Sequence, residues 1–72
     1  MTPQFNLLDI IVLAEDSPKS KLRRGSMGTI IEVFDGKDVF LVEFSDDNGV
    51  AYATEFLKPA QLIKVFHAPL AA

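Results

Sequence analysis

The apolar residues of the chain fall into five short runs, each bounded by polar segments that contain glycine, proline, aspartate or asparagine. Runs of about four to eight residues between such turn formers are typical of β-strands. The predicted strands cover residues 9–14, 27–34, 38–45, 50–56 and 62–66. We therefore predict an all-β fold: a small five-stranded antiparallel SH3-like barrel, closed by the last strand, with a 3₁₀ turn before that strand.

The third predicted strand alternates cleanly between two sets of side chains. Because successive side chains of a strand point to opposite faces, Phe40, Val42 and Phe44 share one face, which we assign to the core. Val39 and Leu41 then point outward. The other strands are expected to contribute the core residues Ile11, Leu13 and Leu62.

The second predicted strand does not alternate in this way. Ile30, Ile31 and Val33 cannot all face one side, so either both faces are partly covered or a β-bulge shifts the register. Depending on the bulge, the strand adds either Ile30 and Phe34, or Ile31, to the outward side.

These outward side chains form the candidate partner-binding surface. A contiguous apolar patch with a charged border is typical of an association site. The candidate contact residues are Ile30, Phe34, Val39 and Leu41, with Glu32 and Glu43 beside them. The alternative is that the tail at 66–70, or the first loop, folds over this face and buries it.

Glycines and chain ends complete the predicted organisation. We predict turns at 35–37 and 46–49, and expect Gly28 to have a positive φ or close backbone packing in a reversal before the second strand. The 72 residues make a single domain over 1–72, with flexible tails at 1–6 and 67–72.

Composition narrows the function. The chain has no cysteine, which excludes disulfides and thiolate metal sites, and its net charge of −3 argues against broad binding of nucleic acid. The sequence has neither a long apolar run nor a secretory signal, so we expect a cytoplasmic protein without a membrane span. We also expect no cofactor, no small-molecule substrate and no enzymatic activity, because no catalytic or metal motif is complete and His67 is the lone histidine.

The first loop carries the basic cluster of the chain. Its members are Lys19, Lys21, Arg23 and Arg24, and we expect Leu22 to fold back as an apolar anchor. A solvated loop is one interpretation, and a contact site for an acidic partner or a phosphate backbone is the other. No aromatic residue that could stack on a base interrupts the cluster.

Short motifs along the chain carry a family resemblance. They are Leu7-Leu8-Asp9, Leu22-Arg23-Arg24-Gly25, the run from Gly28 to Val33, Val42-Glu43-Phe44 and Leu62. Through these residues the chain resembles a bacterial family of small domains of unknown function marked by an N-terminal Leu-Leu-Asp. The resemblance implies a free-standing bacterial protein without an assigned activity, and a pairing role of the antitoxin kind with a small protein from a neighbouring gene.

A weaker likeness concerns the small nucleic-acid-binding barrels of ribosomal and transcription-elongation proteins. Gly25, Gly28, Thr29 and Ile30 match their outline, although those barrels are usually basic and this chain is acidic. The leading hypothesis is therefore a protein-interaction module that binds a small partner or a second copy of itself. The alternative is a nucleic-acid-binding barrel that uses the basic first loop.

Overall fold

The structure, a computed structural model, describes residues 5–17, 21–34, 36 and 38–65. These residues form one sheet of five antiparallel strands and a 3₁₀ turn at Pro59–Gln61. The strands are β1 Ile10–Leu13, β2 Met27–Phe34, β3 Val39–Ser45, β4 Ala51–Leu57 and β5 Leu62–Lys64. The all-β class, the antiparallel strands and the 3₁₀ turn before the last strand are confirmed.

The strand order in the sheet is β4-β3-β2-β1-β5. The last strand returns to pair with the first, and Leu13 lies opposite Leu62. Within the described residues β5 does not pair with β4, so the hydrogen-bonded ladder is open between them. The sheet therefore has two edges, β4 and β5, where the sequence predicted a strand that closes a barrel.

A β-bulge at Ile31 resolves the irregular pattern of β2. Ile30 pairs with Val42, but Glu32 pairs with Leu41, so Ile31 is an extra residue on β2. The bulge shifts the alternation by one, and residues on both sides of it can meet their β3 partners. Of the two readings open to the sequence, the structure confirms the bulge.

The core is built from apolar side chains of all five strands and two flanking segments. Every predicted core residue is buried, and Leu22 reaches back from the first loop as expected. Phe5 was assigned to a flexible tail, but it is only 3% exposed and its ring meets that of Phe40 edge-on at 5.6 Å. Among the described residues, the buried apolar side chains are those of Phe5, Ile11, Leu13, Leu22, Ile30, Phe40, Val42, Phe44, Leu57 and Leu62. Residues 1–4 and 67–72, the rest of the predicted tails, lie outside the described residues.

Asp9 organises the turn that leads into β1. Its carboxylate Oδ2 accepts a hydrogen bond from the Asn6 N–H at 2.8 Å and lies 3.2 Å from Lys64 Nζ on β5. The turn is fixed to β2 as well, because the Leu8 N–H donates to the Ile30 carbonyl at 2.7 Å. Leu8 has the left-handed backbone conformation, with φ 70. Asp9 thus joins the entry turn to the last strand.

Gly28 lies inside β2 and not in the reversal before it, and its φ is not positive. Gly28 instead has the close packing that was predicted as the alternative to a positive φ. A Cβ at this position would lie 2.6 Å from Val42 Cγ1 and 3.0 Å from both the Glu43 carbonyl oxygen and Phe44 Cδ1. Glycine fits at this position because any side chain would overlap Val42 and Phe44 of the neighbouring strand β3.

Gly28→Ala is expected to destabilise the fold by about 1–3 kcal/mol, since the added methyl group overpacks a filled core. The urea midpoint of the variant measures this cost. Combining the change with Val42→Ala removes the closest contact, so the double variant is expected to lose less stability than the sum of the single variants. An unchanged midpoint for Gly28→Ala would contradict the close packing.

Phe40→Ala is expected to cost about 3–5 kcal/mol, which is enough to unfold a domain of this size, because the ring is fully buried. Val39→Ala is the matched control one residue away. Val39 is half-buried on the other face, so its truncation should cost clearly less. Chemical denaturation of both variants checks the register, and a reversed order would contradict it.

Candidate protein-contact surface

Strand pairing brings four apolar side chains together on the outward face of the sheet. Leu41 on β3 lies opposite Phe56 on β4, and Phe34 on β2 lies opposite Val39. The rings of Phe34 and Phe56 are 5.9 Å apart with planes inclined at 51°, so they reach each other across β3. Phe34, Val39, Leu41 and Phe56 are called the outward cluster below.

The outward cluster is open to solvent in this structure. Phe56 is 64% exposed and Phe34 38% exposed, while Val39 and Leu41 between them are half-buried. The two rings therefore contact each other while a large part of their surface stays in water. The tail at 66–70, which could cover this face, lies outside the described residues, so that alternative stays a prediction.

Ile30 does not belong to this surface. It was predicted as a contact residue together with Phe34, but it is 0% exposed and pairs with Val42 in the core. The prediction was wrong because the sequence pattern does not locate the bulge. With the extra residue at Ile31, Ile30 points inward while Phe34 still points outward.

Phe56 is the contact residue that the sequence analysis missed. The alternation of Tyr52, Thr54 and Phe56 puts these three residues on one face of their strand, but alternation alone does not show which side of the sheet that face is on. The predicted turn at 46–49 could have identified Phe56 as a contact residue, because a hairpin turn sets the register between its two strands. That register places Phe56 beside Leu41, which was already expected to face outward.

Carboxylates border the outward cluster. Glu32 is exposed opposite Leu41, and Glu43 is half-buried opposite Thr29 and Thr54. No lysine or arginine occurs in β2, β3 or β4. The face formed by these three strands is therefore apolar with an acidic border.

The basic first loop is a separate feature with mixed charge. Lys21, Arg23 and Arg24 are exposed, whereas Lys19 lies outside the described residues. The loop folds back through backbone hydrogen bonds between Ser17 and Leu22, at 2.8 and 3.2 Å. The carboxylate of Asp16 accepts a hydrogen bond from the backbone N–H of Arg24 at 2.8 Å, so an acidic group lies within the basic cluster.

Acidic residues at the β3–β4 turn serve the backbone. The Asp46 carboxylate accepts hydrogen bonds from the N–H groups of Asn48 and Val50 at 2.9 and 3.0 Å, and Gly49 has φ 80. This geometry confirms the predicted turn.

Across the described ranges, no group of three or more His, Cys, Asp or Glu side chains is placed to hold a metal ion, and no polar or charged side chain is buried.

The described part of the chain contains no helix that is long and apolar enough to cross a membrane.

Comparison with known proteins identifies a family but not an activity. The chain matches no curated protein and no solved structure. Residues 7–64 match the family described as a domain of unknown function, DUF4926. The match begins at Leu7, in the entry turn, and ends at Lys64, the last residue of β5. Because it covers most of the 72 residues, including all five strands, the chain belongs to the DUF4926 family.

Proposed function

We propose that this protein is an interaction module that binds another protein through the outward cluster. The observation that carries the proposal is the contact between the rings of Phe34 and Phe56, two large apolar groups that meet in solvent and not in the core. Removing apolar surface from water contributes roughly 25 cal/mol per Å². Covering both rings is therefore a substantial source of binding free energy.

The arrangement of the cluster also supports the proposal. Val39 and Leu41 lie on β3, the central strand of the β2–β3–β4 hairpins, so a rigid ladder holds both rings in place. A preorganised surface loses little conformational entropy when it binds. Glu32 and Glu43 place polar groups along one side of the apolar centre, and polar groups at the rim are typical of association sites.

Leu41→Glu tests this function, because it places a charge in the middle of the outward cluster at a half-exposed site. The free energy of unfolding of the variant, measured by urea denaturation, is expected to stay within about 1 kcal/mol of the wild-type value, because the site lies outside the core. It is expected to lose self-association, measured by light scattering at high concentration, and to lose capture of any partner that the wild type retains.

Ile63→Glu is the matched control, because Ile63 is an exposed apolar residue on β5, away from the cluster. It should bind as the wild type does. Binding through the cluster should also persist as salt is raised, whereas binding of nucleic acid weakens steeply. If Leu41→Glu unfolds the chain and the wild type stays monomeric and captures nothing, the face is covered within the monomer and the proposal fails.

A further inference from the structure

The free edge of the sheet beside the outward cluster is an open strand. β3 pairs with one side of β4, and within the described residues no strand pairs with its other side. Edge strands are commonly protected by lysine or proline, which hinder pairing with another chain. The seven residues of β4 include neither. A register shift makes Tyr52 an extra residue between Ala51 and Ala53, and Glu55 lies opposite the core residue Val42; such bulges and inward charges weaken edge pairing without blocking it as proline does. The ladder with β3 is regular over 53–57.

The sequence of β4 is complementary to itself when a copy runs antiparallel to it. We propose that a second copy of this chain pairs with β4 about a two-fold axis at Thr54, so that two sheets join into one. This inference rests on the proposed function, since it names the partner. A two-fold contact requires a surface that matches itself, and the spacing of Tyr52, Thr54 and Phe56 provides it.

In this register the outward side chains form favourable pairs. Thr54 faces the partner's Thr54 at the axis. Tyr52 faces the partner's Phe56, and the two-fold axis repeats this pair on its other side. Thr–Thr and aromatic pairs are among the cross-strand contacts that stabilise antiparallel sheets. Tyr52 is 56% exposed, so its ring is available for this contact. The partner's Tyr52 would extend the outward cluster, because Phe56 already lies beside Leu41.

Two pairs of like charges lie near this junction. Glu55 would face the partner's Ala53, and the two Glu55 side chains would be diagonal neighbours across the axis, with Cα atoms about 8 Å apart. Glu43 lies in the same row as Thr54, so three strand spacings, about 14 Å, separate it from the partner's Glu43. This distance exceeds the Debye length of about 8 Å at physiological ionic strength. The Glu43 pair therefore adds only weak repulsion, and the repulsion between the two Glu55 side chains limits the strength of the dimer.

The size of the contact sets the expected strength. A single edge of seven residues with three outward side chains is smaller than a standard interface, which buries about 800 Å² on each partner. We therefore expect a weak dimer whose population rises with protein concentration.

Thr54→Cys tests the register directly, because the natural chain has no cysteine. Directly opposed residues of an antiparallel pair have Cα atoms about 4.5–5.5 Å apart, which lies within the range that a disulfide spans. Glutathione disulfide serves as the oxidant: the two thiols join, and their two electrons and protons reduce it to two glutathione thiols. The covalent dimer is quantified on a non-reducing gel.

Two matched variants separate pairing from random collision. Thr29→Cys places the thiol on the same face but on β2, which has neighbours on both sides. Val50→Cys places it at an exposed site just before β4, where the proposed register separates the two thiols by about 27 Å. Thr54→Cys is expected to cross-link at least about tenfold faster than either, because pairing raises the effective concentration of its thiols.

A second variant tests the noncovalent dimer. Thr54→Lys opposes two like charges at the axis and should abolish the dimer seen in sedimentation experiments, whereas Thr29→Lys should not. Equal cross-linking rates for the three cysteine variants, or a wild type that stays monomeric at millimolar concentration, would overturn the pairing. If the pairing fails but Leu41→Glu still abolishes binding of another protein, the proposed function stands. If Leu41→Glu abolishes neither self-association nor capture, the proposed function fails whatever the cysteines show.

Discussion

The extra residue at Ile31 is the constraint on which the rest of the sheet depends. On the turn side of the bulge, Phe34 faces outward with Glu32, and on the other side Ile30 faces inward. If Ile31 instead took a regular place opposite Leu41, Glu32 and Phe34 would be directed into the core, because a shift of one residue exchanges the faces of a strand. The composition of the outward cluster is thus a consequence of one inserted backbone unit.

Gly28 sets the second limit on the sheet. The strand on which it lies pairs with both β1 and β3, so its backbone must lie close to the side chains of Val42 and Phe44. The bulge and the glycine lie three residues apart on β2. The bulge decides which way the side chains of β2 point, and Gly28 sets how closely β2 and β3 pack.

The sequence predicted the strands well because local alternation and turn residues encode them. Phe40, Val42 and Phe44 follow from alternation alone, and the structure buries all three. Ile30 was misassigned because the position of a bulge depends on pairing with another strand, which a single strand does not reveal. Phe5 was missed for a similar reason: its burial depends on the distant ring of Phe40. Phe56 joined the candidate site only once the register between β3 and β4 was known.

Leu8 shows a different kind of dependence. It holds a left-handed backbone at φ 70 while 69% of its surface is exposed. This conformation costs a residue with a side chain roughly 1–2 kcal/mol, and glycine avoids that cost. The entry turn is therefore less stable than the same turn would be with glycine at this position. Because most of this side chain is in water, its removal gives up little packing, so directed evolution for heat resistance would favour glycine in place of this leucine.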